Sequence, residues 1–121
     1  MANIKETIPL SEWLEFDLDT ELLEAAPDGR RILKLRVRPT NLMSTNDAED
    51  RGRISAMMTE LVIDAVQEWD LAEDDKPVPC TLPNKKRFLP LLLGQPVKGS
   101  RMALGIEIIG YAGNIENFLK K

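Results

Sequence analysis

Apolar and polar residues alternate along Trp13–Asp19. Leu14, Phe16 and Leu18 fall on one parity, and Glu15, Asp17 and Asp19 on the other. A period of two predicts a half-buried strand. A helix competes here, because Leu10, Leu14, Leu18 and Leu22 are spaced by four. It would leave Phe16 off the apolar stripe, so the strand is preferred. Thr20–Ala26 has room for one or two helical turns. Pro27-Asp28-Gly29 predicts a turn: proline presets φ, aspartate bonds back to the backbone, and glycine accepts positive φ. Ile32–Arg38 alternates again, with Leu33, Leu35 and Val37 against Lys34, Arg36 and Arg38. Pro39 cannot donate to a ladder and closes the strand. The two strands are expected to pair antiparallel, the acidic face of the first opposite the basic face of the second. Each such ion pair is worth only about 0.2–1 kcal/mol, enough to help set register.

Met1–Leu10 reads as a loosely held entry segment, and Asn41–Arg53 as a polar connection. Ser44, Thr45, Asn46 and Asp47 are its candidate N-caps. A helix is expected to follow and to reach Glu68 or Trp69, because Ile54, Met58, Leu61, Ala65 and Trp69 recur at helical spacing. Met57, Val62 and Val66 widen the stripe beyond the roughly 100° of an ordinary surface helix. Such a helix is either central to the fold or has a partner on one side. Asp70–Asp75 reads as an acidic loop, and two prolines force Lys76–Cys80 to be extended. Thr81 is a candidate N-cap for a short helix over Leu82–Leu93, bent or broken near Pro90 and ended by Gly94-Gln95-Pro96. Val97–Lys120 reads as a final helix on length. Leu104, Ile108, Tyr111, Ile115 and Leu119 form one stripe; Met102, Ile106 and Ile109 form another. A strand through Ile106–Ile109 is the alternative. Within the helix, Gly110-x-x-Gly113 points to close helix packing.

These elements predict an α+β protein: a small antiparallel sheet from the N-terminal third packed with about three helices. The chain has 121 residues, the length of a single domain, mainly β over 1–40 and mainly α over 45–121. With 43% hydrophobic and 30% charged residues, its mix is that of a globular protein. No apolar run approaches the roughly 20 residues that span a bilayer, and the first residues lack a signal-peptide core, so a cytoplasmic location without membrane contact is expected.

Composition removes several chemistries. Histidine is absent, so histidine triads and histidine metal sites cannot form. Cys80 is the only cysteine, which leaves no internal disulfide; between prolines it reads as a small apolar residue rather than a nucleophile. Asp17, Asp19 and Glu21 alternate like the start of a calcium loop, but Leu22 stands where that loop needs glycine. Asp70, Glu73, Asp74 and Asp75 are better read as a solvated loop than as a cation site. No metal or cofactor is expected. Lys34, Arg36 and Arg38 follow Arg30 and Arg31, and Lys85, Lys86 and Arg87 make a second cluster. No aromatic is interleaved with either, and the net charge is −4, so nucleic-acid binding is not expected. No acid–base pair or nucleophile stands at an interpretable spacing, and no enzyme activity is expected.

One segment order carries a lead. An apolar helix ending in Val66-Gln67-Glu68-Trp69-Asp70 precedes an acidic turn Asp74-Asp75 and the stretch Lys76-Pro77-Val78-Pro79. Thr81-Leu82-Pro83-Asn84 then opens a short leucine-rich helix, and a final apolar helix follows. Over about half the chain, this resembles the tail assembly chaperones of long-tailed bacteriophages and prophages. The strand Ile32–Arg38 ahead of the first helix also fits, whereas Met1–Gly29 has no counterpart. The resemblance implies a cytoplasmic, non-enzymatic helper that binds the tape-measure protein and guides the tail-tube protein to polymerise around it. It also implies absence from the finished particle and, in many members, a frameshifted longer product. Lys120-Lys121 is compatible with a slippery run. The alternative is a small structural protein retained in the virion, in the tail or at the head–tail joint. Adjacent methionines suit an adaptable groove, with core packing the preferred reading. The residues expected to meet a partner, or a second copy of the chain, are Met57, Met58, Leu61, Trp69, Ile108, Tyr111 and Ile115.

Overall fold

In the computed structural model, residues 2, 9–40, 54–100 and 102–119 are described, with the backbone alone for 54–57. The candidate N-caps at 44–47 and most of the entry segment lie outside these residues. Strand β1 (Leu14–Asp17) and strand β2 (Ile32–Val37) pair antiparallel, as their alternation predicts. Leu14 stands opposite Leu35 and Phe16 opposite Leu33, so the apolar parities share one face. Between them, Thr20–Ala26 forms turns and no helix. The Thr20 hydroxyl accepts the Leu22 N–H at 3.2 Å, and the Arg31 side chain donates to the Leu23 carbonyl at 3.0 Å. These local bonds compete with a helical turn. Gly29 takes φ +83°, the left-handed conformation its turn requires, and Asp28 accepts the Arg30 N–H at 3.0 Å.

Helix α1 covers Ile54–Ala65 and stops short of the expected Trp69. Val66–Trp69 is instead strand β3, which pairs antiparallel with the far edge of β2. Trp69 stands opposite Leu35, Glu68 opposite Arg36, and Val66 opposite Val37. Gln67 is thus the extra residue of a bulge. A bulge lets two side chains three residues apart share one face. Val66 and Trp69 both enter the core this way, and their spacing imitates a helix.

The expected pairing of acidic and basic faces is met only at Glu15 and Lys34, 3.4 Å apart. Arg36 turns to Glu68 of β3 at 3.1 Å, and Arg38 to Asp64 of α1. The acids brought by β3 and α1 take these partners because β2 is the central strand. The basic stripe is thereby neutralised along the solvent face of the sheet.

Asp70–Asp75 is not a plain loop. Strands β4 (Ala72–Glu73) and β5 (Lys76–Pro77) form a tight hairpin around Asp74 and Asp75. Both have positive φ, 52° and 62°, as a type I′ connection requires. Helix α2 spans Leu82–Leu92 behind Thr81, which is extended but makes no side-chain cap bond. Pro90 lies inside α2 without breaking it. Pro90 and Lys86, whose carbonyl it cannot serve, are both exposed, so the missing bond falls on the solvent side.

The long final helix is also shorter than its periodicity predicts. Val97 bridges Leu18 and Pro96 bridges Ala103, so this stretch is a tight excursion. Gly99, at φ +91°, lies within it. Helix α3 then covers Leu104–Ala112, and a single turn, α4, covers Glu116–Leu119. Ile106–Ile109 is therefore helical, not a strand. Close packing occurs at Gly105, not at Gly110. A Cβ on Gly105 would lie 3.3 Å from Leu93 Cβ, and its N–H donates to the Leu93 carbonyl at 2.9 Å. A Cβ on Gly110 meets nothing. The two glycines of α3 thus predict opposite signs. Gly110→Ala is expected to raise stability by about 1 kcal/mol through helix propensity. Gly105→Val is expected to lower it by about 1–3 kcal/mol through overpacking. Denaturant melts of both variants check this.

The buried residues form one cluster, with Leu33, Leu35, Val37, Val66 and Trp69 from the sheet against Val62, Leu89, Leu92, Leu104 and Ile108 from the helices. The architecture is α+β: a three-stranded antiparallel sheet, one face on the helices and the other polar. No helix among the described residues is long and apolar enough to cross a membrane.

Candidate functional site

The residues expected to meet a partner do not form one surface. Trp69 is 8% exposed and Ile108 is fully buried; both are core residues. Tyr111 is half-buried against the core, its ring edge-on to Phe118 at 5.6 Å. Met58 and Leu61 are half-buried on α1, and Ile115 is exposed beyond the end of α3. The side chain of Met57 lies outside the described residues. The width of the α1 stripe has a structural cause. It merges helix positions Val62 and Ala65 with strand positions Val66 and Trp69, all buried.

A different constellation forms a concave site. A cleft of about 490 Å³ opens between the β1–β2 connection, the start of β2, the β4–β5 hairpin and α2. Its walls are apolar: Leu22 and Leu23 from the connection, Ile32 and Leu33 from β2, Leu71 ahead of the hairpin, and Phe88, Leu91 and Leu92 from α2. Phe88, Leu91 and Leu92 follow helical spacing, so they share a face of α2 adjacent to the one carrying Leu89, Leu92 and Leu93 into the core. The apolar arc of α2 is wider than the core uses. Leu91 is 57% exposed and Leu22 is 54% exposed.

Five carboxylates complete the lining: Glu24, Asp70, Glu73, Asp74 and Asp75, with no basic residue among them. Four of them have a structural reason for their place. Asp70 extends the β2–β3 pairing: its N–H donates to the Lys34 carbonyl at 3.1 Å, and its carboxylate accepts the Lys34 N–H at 2.9 Å. Asp74 and Asp75 are the two turn residues of the hairpin, so their side chains stand at its tip. Glu73 lies 3.7 Å from Arg87, whose guanidinium stacks over the Phe88 ring at 4.7 Å. Glu24, Asp74 and Asp75 have no ion-pair partner among the described residues. The acids line a rim and do not converge: no three of His, Cys, Asp or Glu are grouped to hold a metal among the described residues.

The hairpin that carries this rim is fixed to the core. Trp69 donates its indole N–H to the Val78 carbonyl at 2.6 Å, and Val78 N–H donates to the Leu71 carbonyl at 2.9 Å. Asn84 and Lys85 tie α2 to the same region through the Pro79 and Val66 carbonyls, both at 2.9 Å. Cys80 sits half-buried nearby, and burial pushes its thiol above the ordinary range, with Lys85 opposing and Glu68 adding to the rise. The thiolate fraction at neutral pH is therefore small. Cys80 is expected to react with a maleimide at pH 7 several-fold more slowly in the folded chain than after denaturation; equal rates would contradict this placement.

Sequence reasoning missed the cleft because its walls come from separated segments. One signal was present. In Leu89-Pro90-Leu91-Leu92-Leu93, helical spacing lets Leu89, Leu92 and Leu93 share a core face and leaves Leu91 outside it. Compared with models of known protein families, with curated proteins and with solved structures, the chain matches none of them.

Proposed function

We propose that this protein is a non-enzymatic assembly factor of the phage tail chaperone type, acting in the bacterial cytoplasm by binding the tape-measure protein during tail-tube assembly. The observation that carries the binding part is the cleft: an open apolar trough with exposed leucines at its lips and charge around its rim. Exposed apolar surface bordered by charge is the usual mark of a protein-binding site. The phage-tail part rests on the segment resemblance from Leu61 onward. Its turn at Asp74-Asp75, its extended prolines and its two following helices correspond to β4–β5, α2 and α3. Its helix ending in tryptophan is revised, because Val66–Trp69 is a strand. The absence of histidine and of any readable catalytic spacing favours a binding role over an enzyme.

Deleting the gene from the phage or prophage that carries it tests this reading. Full heads without tails are the expected result, with the protein missing from purified wild-type particles by mass spectrometry. Normal tails after deletion would refute a role in tail assembly. Stoichiometric protein in the particle would instead select the alternative of a small structural component.

A further inference from the structure

We propose that the cleft between the β4–β5 hairpin and α2 takes a cationic amphipathic helix from its protein partner. This proposal deepens the preceding one and rests on its claim that the chain works by binding a protein. Charge complementarity identifies the occupant. The lining has five carboxylates and no base, and Glu24, Asp74 and Asp75 have no ionic partner among the described residues. Asp74 and Asp75 are adjacent at a hairpin tip with positive φ, and two like charges there repel each other. Lysines or arginines beside an apolar stripe would relieve that repulsion, while the stripe covers Leu22, Phe88 and Leu91. An anionic segment, a nucleic acid or an acidic membrane surface would be repelled by the same rim.

The side-chain lining favours a helix. Around the cleft, the Asp70 N–H is taken by Lys34, the Val78 N–H by Leu71, and β4 is paired to β5. One edge of the two-stranded β4–β5 pair stays open, but the cleft itself is walled by side chains of the connection, the hairpin and α2. A helix arrives with its own backbone satisfied and binds through side chains at i, i+3 and i+4. The spread of the acids along the rim suits several cationic side chains better than one metal ion, since they do not converge. Arg87 is a cation beside the rim, and its contact with Glu73 is long at 3.7 Å between exposed groups. A competing cation from the partner can replace it at little cost.

The test titrates the full chain with two synthetic amphipathic peptides, one of leucine and lysine and one of leucine and glutamate in the same pattern. Calorimetry gives affinity, and amide NMR shifts give the site. The leucine–lysine peptide is expected to bind and to shift Leu22–Glu24, the hairpin and α2, with affinity falling as salt is added. The triple variant Glu24→Gln, Asp74→Asn, Asp75→Asn is expected to bind it about tenfold more weakly and with a flatter salt dependence, the effect of losing three exposed ion pairs. Asparagine tolerates positive φ, so the hairpin is retained. Equal binding of both peptides, no loss in the triple variant, or shifts confined to the exposed Met102 and Ile106 would overturn the proposal. Failure of peptide binding alongside tail loss on gene deletion would reject this docking chemistry and leave the assembly role. Peptide binding as expected alongside normal tails on deletion would do the reverse.

Discussion

Trp69→Ala is expected to destabilise the protein by about 3–5 kcal/mol, a large part of the roughly 5–15 kcal/mol that holds a domain of this size together. Trp69 is the largest side chain in the core cluster and lies opposite Leu35, which is fully buried on the central strand. Truncation opens a cavity where β2, β3 and the hairpin meet. It also removes the indole N–H that the Val78 carbonyl accepts at 2.6 Å. Trp69→Phe keeps part of the ring volume and loses the hydrogen bond, so its cost is expected to be smaller, about 1–3 kcal/mol. Because that bond ties the hairpin to the sheet, Trp69→Phe is also expected to increase amide exchange over Ala72–Val78 more than in β2. Denaturant melts and hydrogen exchange check both statements. A Trp69→Ala variant of unchanged stability would place this side chain outside the core.

Leu91→Glu is expected to leave the fold intact and to weaken binding at the cleft by about 30-fold or more, the effect of losing an apolar contact at its lip and adding a like charge there. Leu91 is 57% exposed, so its replacement removes little buried area and is expected to shift stability by no more than about 0.5 kcal/mol. In a complex, the new carboxylate would be taken from water into a rim that already holds five others, with no base in the lining. Ile106→Glu is the matched control, since Ile106 is a similarly exposed apolar residue outside the cleft. Its binding is expected to equal that of the unaltered chain. Equal losses in both variants would show that general surface hydrophobicity, not the cleft, drives association.

Strands β1 and β2 were legible because strict alternation suits a sheet that buries a single face, and the competing helix over β1 left Phe16 off its apolar stripe. Leu33, Leu35 and Val37 are all buried while Lys34 and Arg38 are exposed. The turn at Gly29 was legible for a local reason, its need for positive φ. Periodicity misled where two elements abut. Val66 and Trp69 carry a spacing of three through the bulge at Gln67, and nothing local separates that from a further helical turn. The acidic turn at Asp74-Asp75 was legible, but the strands beside it were not, because Ala72-Glu73 and Lys76-Pro77 are too short to show alternation. Helix α3 was overextended because the stretch before it is held by a long-range bridge, Leu18 with Val97, and a short one, Pro96 with Ala103. The α+β class survived these errors, since it depends on faces rather than element ends.

The candidate site was barely legible. The acids of the hairpin and the leucine run of α2 were each visible, but their meeting with Leu22 and Glu24 is a tertiary fact. Trp69 and Ile108 illustrate the converse. A wide apolar stripe announces area to be covered, and these residues are covered by the chain itself.

The central claim is that the chain serves tail assembly through this cleft. Complementation in the deletion background tests it most directly: electron microscopy counts tailed particles when wild-type, Leu91→Glu or Ile106→Glu protein is supplied in trans. The account predicts tails with the wild type and with Ile106→Glu, and heads alone with soluble, folded Leu91→Glu. Normal tails with Leu91→Glu would contradict it.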